Sequence, residues 1–352
     1  KHGFKAGDRL AILLPNEPDY IQLVYACAWL GVTAVPLNTR LSVKEIDGIL
    51  ADAQPRGLIR HSSLPIPTAQ ISWQLVLDQE PLDAQSDSIP DPIYDPNAIL
   101  ALIYTSGTTG RPKGVEIRHA NILENVYHTD FWFPFEEGAV HLHAAPIFHI
   151  ADFPFMFAAP AFGACQVTIP KFSPQSFGKT VQCERVTHTV LVPTMINMLT
   201  EFSELQKYDL STLRHLGYGG SPMAPELVHR TRQVLPIVKL VQVYGLSEAG
   251  FLTGLLDDEH TEDRLTSCGR PCLGIDVRVV DPTGKDVETG KTGELVARGA
   301  NIMRGYWNNP EKTAERFKPV TAQNSALPIT ELAVWSGDTV RMDDDGFIYF
   351  VG

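Results

Sequence analysis

Apolar positions follow two alternating patterns over most of the chain. Short apolar runs are typical of buried strands, and the longer segments between them carry apolar residues at helical spacing. The predicted strands span residues 11–15, 34–37, 57–61, 74–77, 98–104, 140–145, 166–169, 189–192, 215–219 and 238–244. The predicted helices span residues 19–30, 43–52, 151–162 and 173–186, and others begin near residues 119, 194 and 221. This alternation predicts an α/β fold, in which layers of largely parallel sheet are covered by helices.

The pattern changes after residue 265, where glycines separate short strands such as 276–280 and 293–298. This spacing is typical of antiparallel β structure. We therefore expect residues 1–265 to form two α/β subdomains and residues 266–352 to form a smaller β-rich subdomain. Ser42 and Ser221 each precede a predicted helix, so both are predicted N-caps, with Pro222 in the first turn.

The segment from Tyr104 to Gly114 follows a buried strand and contains hydroxyls, three glycines and two cations. Glycines allow successive N–H groups to point at one anion, and Arg111 and Lys113 add positive charge. It is not a Walker A loop, because Lys113 is followed by glycine rather than by Ser or Thr. The sequence favours a phosphate-binding loop here, and the alternative is a polar hairpin between two strands.

This segment resembles the signature loop of the adenylate-forming superfamily, which includes acyl-CoA synthetases and other AMP-binding enzymes. The resemblance extends over the whole chain and implies the large N-terminal domain, ending just before a small C-terminal domain. It implies ATP and Mg²⁺ as cofactors, with coenzyme A as the acceptor in the full-length enzyme. It gives Thr105 and Lys113 catalytic roles and Thr108 a role in metal binding. The loop residues implied to bind the nucleotide are Ser106, Gly107, Thr108, Thr109 and Gly110.

Three further motifs of the family surround the predicted acyl and adenine sites. Pro146-Ile147-Phe148-His149 implies that His149 faces the reacting carboxylate, and the apolar run after it adds Phe153. Gly217-Tyr218-Gly219-Gly220-Ser221 implies adenine binding, with Tyr218 and Gly219 also near the acyl group. Tyr244-Gly245-Leu246-Ser247-Glu248 has serine where the family usually has threonine. The roles implied there are adenine stacking by Tyr244, nucleotide binding by Gly245, acyl contact by Leu246, catalysis by Ser247 and Mg²⁺ binding by Glu248.

Two motifs nearer the end of the chain complete the resemblance. Trp335-Ser336-Gly337-Asp338 implies that the Asp338 carboxylate accepts both ribose hydroxyls. The segment 305–313 also matches the family, and we assign it a structural role.

Other metal sites are weaker interpretations. His141, His143 and His149 could form a three-histidine cluster, but no carboxylate accompanies them in the sequence pattern. Cys268 and Cys272 bracket a turn and lack a second Cys/His pair. Three aspartates and a glycine at 343–346 lack the spacing of a calcium loop and instead predict a hairpin turn.

The composition limits the partners. A net charge of −12 repels nucleic acid and anionic membranes. No apolar run reaches the roughly 20 residues that a transmembrane helix needs. Five cysteines at irregular spacing argue against a disulfide framework and predict a reducing, cytoplasmic location.

The predicted reaction is activation of a fatty or aryl carboxylic acid to an acyl-adenylate, followed in the full-length enzyme by thioester formation with coenzyme A. Amino-acid-activating domains carry an aspartate where His149 stands, which argues against amino acids. Without the small domain, this chain is expected to be weakly active. The alternatives are an acyl-AMP ligase that loads an acyl carrier protein, and a nucleotide-binding module without turnover. The sequence leaves a homodimer open.

Overall fold

Two β-sheets support the molecule, seen here in a computed structural model that describes residues 3–80, 90–105, 112–321 and 330–351. The first sheet has the order β4-β3-β1-β2-β5-β6. Its neighbours are parallel except for the antiparallel pair β5 and β6. Its strands are β1 (Arg9–Leu13), β2 (Thr33–Pro36), β3 (Gly57–Arg60), β4 (Trp73–Val76), β5 (Ile99–Thr105) and β6 (Lys113–Arg118).

The second sheet contains twelve of the strands in the described residues. They are β7 (Val140–His143), β8 (Cys165–Thr168), β9 (His188–Leu191), β10 (His215–Gly219), β11 (Lys239–Leu246), β12 (Gly250–Leu255), β13 (Ser267–Pro271), β14 (Asp276–Val280), β15 (Thr292–Arg298), β16 (Phe317–Thr321), β17 (Thr330–Met342) and β18 (Ile348–Phe350). Strands β8-β7-β9-β10-β11 are parallel, and every pairing from β11 onward through β12 and β13 is antiparallel.

Eight α-helices within the described part of the chain cover these sheets. They are α1 (Pro18–Trp29), α2 (Val43–Ala53), α3 (His119–Trp132), α4 (Phe155–Ala161), α5 (Pro174–Glu184), α6 (Pro193–Glu201), α7 (Pro225–Val234) and α8 (Pro310–Arg316). One apolar cluster joins Ile12 of the first sheet to Leu252 of the second through Val126 on α3 and Met156 on α4. The two sheets therefore share a core. None of the helices in the described ranges is both long and apolar enough to cross a membrane.

The predicted α/β class is confirmed, including the parallel layers. Strand β6 was not predicted, although its pattern is that of an edge strand: Val115 and Ile117 are buried while Glu116 and Arg118 face outward more. The predicted N-cap at Ser221 is wrong, because α7 begins at Pro225 with Ala224 as its N-cap. Pro222 and Pro225 each suit the first turn of a helix. The chain forms a bend at Ser221, and the helix begins only at Pro225.

The β-rich segment after residue 265 is continuous with the second sheet, since β13 pairs with both β12 and β18. The domain boundary at residue 265 stays a prediction. The turn at Asp343 joins β17 and β18, where its carboxylate accepts from the backbone N–H groups of Asp345 and Phe347 at 3.1 and 2.8 Å. These bonds make Asp343 a turn former, as the hairpin prediction required.

Ser42 forms a capping box at the start of α2. Its hydroxyl accepts from the Glu45 N–H at 3.4 Å, and the Glu45 carboxylate accepts from the Ser42 N–H at 2.9 Å. We expect Ser42→Ala to lower the free energy of unfolding by about 1 kcal/mol, because the helix loses an N-cap. Ser221→Ala is the matched control, with an expected change within about 0.5 kcal/mol. Urea denaturation of both variants checks this, and equal losses would contradict the assignment of caps.

Candidate functional site

A pocket lies at the carboxyl ends of β7, β9, β10 and β11. Strand β8 lies on one side of β7 and β9 on the other, so the chain changes direction across the sheet at this point. Ligands of parallel α/β sheets bind at such switch points. The pocket is lined by Thr129, Trp132, Phe133, Ala145, His149, Ile150, Ala151, Phe155, Val190, Leu191, Val192, Gly217, Tyr218, Gly219, Gly220, Val243, Gly245, Gly250 and Phe251. It is therefore mainly apolar, and its lining combines aromatic rings with glycine backbone.

The glycines of this wall are required by strand packing. A Cβ on Gly219 would lie 2.2 Å from the Val243 carbonyl oxygen, and one on Gly245 would lie 2.0 Å from the Gly250 carbonyl oxygen. Backbone atoms cannot give way at such distances, so neither site accepts a side chain. Flat, bare backbone along the pocket follows from this packing, which explains the glycines without requiring a ligand.

Tyr244 and Asp338, both predicted to hold the nucleoside, meet across the second sheet. The Tyr244 hydroxyl donates to Asp338 Oδ2 at 2.6 Å, although 94 positions separate the two residues. Burial, followed by the Asp338 charge, raises the pKa of Tyr244. The Asp338 N–H also donates to Ser336 Oγ at 3.0 Å, which orients the turn. Tyr244 therefore remains a neutral donor beside a carboxylate.

Glu248 follows β11 and is only 8% exposed. Its Oε1 accepts from the Tyr306 hydroxyl at 2.5 Å and lies 3.7 Å from the Arg316 guanidinium. The Lys113 ammonium lies over the Tyr306 ring, 4.6 Å from its centroid. One aromatic side chain thus connects the phosphate-loop lysine with the predicted metal-binding carboxylate.

Lys113 of this group begins β6, which pairs with β5. Thr105 pairs with Lys113 at the end of the hairpin. Ser106, Gly107, Thr108, Thr109 and Gly110 lie outside the described residues. The Trp307 N–H donates to the Gly114 carbonyl at 2.7 Å, which places Tyr306 beside the start of β6.

His149 lines the pocket, and its side chain is exposed to solvent. The surrounding protein atoms still remove part of its hydration and lower its pKa. Its Nδ1 accepts from the Ala151 N–H at 3.2 Å. In the neutral ring the proton is then on Nε2, which makes Nε2 the hydrogen-bond donor.

The other residues that were predicted to bind the acyl group or the nucleotide lie in several different places. Phe153 is fully buried against Phe157 in the core, and it is Phe155 that lines the pocket. The Tyr218 hydroxyl contacts His260 Nε2 at 2.9 Å. Leu246 and Ser247 lie where β11 turns into β12, and Ser221 lies in the exposed bend after β10. Their roles, and that of Phe153, stay predictions.

Three residues near these sites were missed by the sequence analysis: Tyr306, Arg316 and Asp152. Tyr306 lies in the segment 305–313, to which only a structural role was assigned, and it is 58 positions from Glu248. No local spacing indicates such a contact. Arg316 carries no signal either, because arginine near a helix end is ordinary.

The interpretation of the histidines needs a correction. The expectation that no carboxylate accompanies them is wrong, because Asp152 Oδ1 lies 3.1 Å from His143 Nδ1 and 3.7 Å from His141 Nε2. Asp152 stands nine positions after His143, but the sequence did not predict that the chain between them folds back toward β7. His149, by contrast, lines the pocket and is not in this cluster.

The two cysteines near the second sheet are buried thiols. Burial raises the pKa of both Cys268 and Cys272 to about 12. The Trp132 indole donates to Cys272 Sγ at 3.3 Å, and Cys268 Sγ donates to the Ile348 carbonyl at 3.4 Å. Protonated, hydrogen-bonded thiols of this kind serve packing rather than metal binding.

Comparison with known proteins places this geometry in context. The sequence profile of a family described as AMP-binding enzyme matches residues 1–307. A feruloyl-CoA synthase from an Amycolatopsis species is 34% identical, over 99% of this chain and 69% of that protein. The inhibitor-bound N-terminal domain of FACL13 from Mycobacterium tuberculosis is 28% identical with a TM-score of 0.87, over 99% of this chain and 87% of that one. The complex of O-succinylbenzoate coenzyme A synthetase from Bacillus subtilis with AMP is 27% identical with a TM-score of 0.84, over the same shares.

The Tyr306–Glu248 contact predicts a stability difference between two tyrosine-to-phenylalanine variants. Tyr306→Phe should lower the free energy of unfolding by about 1.5–3 kcal/mol, because a buried carboxylate loses its hydroxyl donor. Tyr349→Phe removes a hydroxyl that donates to Asp343 at 3.0 Å on a surface turn, so the expected loss is about 0.5–1 kcal/mol. Urea denaturation of the two variants measures the difference. Equal losses would show that Glu248 does not depend on Tyr306.

Proposed function

The chain belongs to the AMP-binding enzyme family, and from this premise we propose that its pocket holds a carboxylic acid beside a nucleotide site, where the acid is converted to an acyl-adenylate. The observation that carries the proposal is the course of β11. Val243 and Gly245 line the apolar pocket, Tyr244 between them reaches Asp338, and Glu248 follows at the end. This course of one strand supports the proposal that an acyl site and a nucleotide site lie side by side.

The reaction is an in-line displacement at phosphorus. A carboxylate oxygen of the acid attacks the α-phosphorus of ATP, the bond to the bridging oxygen breaks, and pyrophosphate leaves with that electron pair. The protein has to align the two substrates and neutralise their charge. Carboxylate and triphosphate are both anionic, so the positive groups near the site matter more in a chain of net charge −12.

Lys113, Thr105 and the loop between them are proposed to hold the phosphates. The Lys113 ammonium is placed by the Tyr306 ring and the end of the β5–β6 hairpin. Asp338 is proposed to accept from the ribose hydroxyls while its Oδ2 keeps the bond from Tyr244. The adenine would lie against the Tyr244 ring, because an aromatic face offers contact area at low entropic cost.

Glu248 fits the binding of Mg²⁺. Magnesium prefers oxygen ligands and is commonly held by one or two carboxylates together with substrate phosphates. Both contacts of the Glu248 carboxylate use Oε1, and within the described part of the chain no hydrogen bond is found on Oε2. Mg²⁺ would supply charge neutralisation on the phosphate oxygens.

His149 is proposed to orient the acid. Its side chain lines the pocket and is exposed to solvent, so its Nε2–H can reach the carboxylate of an acyl group held among the aromatic rings. A hydrogen bond from the neutral imidazole would hold one carboxylate oxygen while the other attacks phosphorus. The lowered pKa keeps the ring neutral near pH 7, so it does not capture the carboxylate as a salt bridge.

We propose a flat aryl acid as the substrate. The wall of glycine backbone and the rings of Trp132, Phe133, Phe155 and Phe251 suit a planar group better than a long alkyl chain. The 34% identical feruloyl-CoA synthase is named for an aryl acid. Coenzyme A is the proposed acceptor: its thiolate attacks the acyl carbonyl and AMP leaves.

Calorimetric titration of the chain tests the acyl site. The ligands are acyl-sulfamoyl adenosines, stable analogues of the acyl-adenylate, with cinnamoyl, benzoyl, octanoyl and palmitoyl groups. We expect the two aryl analogues to bind at least about 10-fold more tightly than the alkyl pair, a difference of about 1.4 kcal/mol. Tighter binding of octanoyl or palmitoyl would overturn the aryl assignment. Failure of all four to bind the folded chain would overturn the proposed site.

A second prediction isolates Glu248. Glu248→Gln should weaken ATP binding in the presence of Mg²⁺ by about 10-fold or more, because the amide is a poor ligand for a hard cation. Without Mg²⁺ the variant should bind ATP no more weakly than the wild type. Glu226→Gln, on the exposed face of α7, is the control and should change neither affinity. The same loss with and without Mg²⁺ would contradict a metal-binding role.

A further inference from the structure

A second polar cluster is buried next to Phe155, one of the aromatic residues that line the pocket. His141 and His143 alternate along β7 and so point to the same face of the sheet. Asp152 reaches this face from the turn before α4. The three side chains are 0–1% exposed, and one ligand atom from each lies within 4.8 Å of the others. The cluster takes no part in the proposed reaction.

His143 is held in a defined orientation. Its Nε2 lies 2.9 Å from Gln166 Oε1, and its Nδ1 lies 3.1 Å from Asp152 Oδ1. The amide oxygen can only accept, so Nε2 carries a hydrogen. This leaves Nδ1 as the nitrogen that faces the carboxylate.

His141 and Asp152 have unused polar atoms in this site. Neither ring nitrogen of His141 has a hydrogen-bond partner within the residues that the structure describes, and the same holds for Asp152 Oδ2. His141 Nε2 nevertheless points toward the carboxylate, 3.7 Å from Oδ1. Buried polar atoms without partners are costly, and in native proteins they call for a specific explanation such as a bound ion.

We propose that His141, His143 and Asp152 bind one divalent transition-metal ion, for which zinc is the best match. Two imidazoles and a carboxylate are the donor set that zinc commonly uses. Two atoms that each lie about 2.0–2.1 Å from zinc at the tetrahedral angle are roughly 3.4 Å apart. The measured separations of 3.1 and 3.7 Å lie on either side of this value. Asp152 Oδ2 can supply a fourth donor atom.

The surroundings also fit a metal site. Gln166 accepts from the outer nitrogen of His143, and such outer partners orient the histidines of metal sites. The Phe155 ring stacks on His141 at 5.0 Å and 5°, and Phe133 and Phe135 contact the same histidine edge-on. These rings exclude water from the cluster. Because Phe155 also lines the acyl pocket, an ion here would hold one wall of that pocket in place.

The test uses the whole chain, with Zn²⁺ and Co²⁺ alone as probes. Because the cluster is fully buried, the chain is unfolded in chelator, then refolded with either ion and desalted. We expect an equimolar content of zinc by mass spectrometry, a melting temperature above that of the metal-free protein, and visible d–d absorption typical of four-coordinate Co²⁺. Absence of retained metal and of the Co²⁺ bands, in refolded protein with native circular dichroism, would overturn the proposal.

Two variants and a matched control assign the ligands. Asp152→Asn and His141→Gln should each abolish retention of zinc and the Co²⁺ bands. His215→Gln is the control: His215 is also buried with an unpartnered Nδ1 among the described residues, but it stacks on His188 outside the cluster. It should retain the metal. Retention by both ligand variants would place the ion elsewhere, and the wild-type Co²⁺ spectrum decides the matter if a variant does not fold.

Discussion

The change from parallel to antiparallel pairing at β11 is the constraint on which the rest of the site depends. On one side β11 continues the parallel layer with β10, and on the other it turns back tightly into β12. The backbones approach so closely that Gly219 and Gly245 have no room for a side chain. The same strand places Tyr244 opposite Asp338 and delivers Glu248 at its end. The glycine lining of the pocket and the contact between Tyr244 and Asp338 are therefore consequences of one strand geometry.

Electrostatics adds a second requirement. In a chain with a net charge of −12, the cations near the proposed phosphate site come from distant segments. Lys113 comes from the end of a hairpin in the first sheet, and Arg316 comes from the end of α8. Tyr306 lies between them, with its ring beneath the ammonium and its hydroxyl on Glu248. Because the Tyr306 side chain is neutral, it positions the charges of Lys113 and Glu248 without cancelling either.

Much of the fold follows from local patterns in the sequence. Apolar runs and helical spacing predicted the parallel strands and most helices, because buried parallel strands are apolar on both faces. The predictions failed where tertiary contacts determine where a helix begins or which side chains meet. Ser221 has the chemistry of an N-cap, but the chain bends on to a second proline before α7 begins. Tyr244 and Glu248 stand in one short motif, whereas their partners Asp338 and Tyr306 lie 94 and 58 positions away. No local sequence pattern predicts contacts between residues so far apart in the chain.

Phe155 lines the pocket and packs against both apolar rings and the buried polar cluster. Its contact with the cluster is the flat stacking on His141. A ring supported only by aliphatic side chains could change rotamer as ligands of different shape enter. Phe155 stacks flat on the His141 imidazole and also contacts the rings of Phe133 and Phe251, so a change of its rotamer requires these neighbours to adjust. A fixed wall favours rigid, planar acyl groups and penalises flexible chains that need the pocket to adapt. Under the proposed function, the buried cluster and the choice of substrate are thus linked through the Phe155 ring.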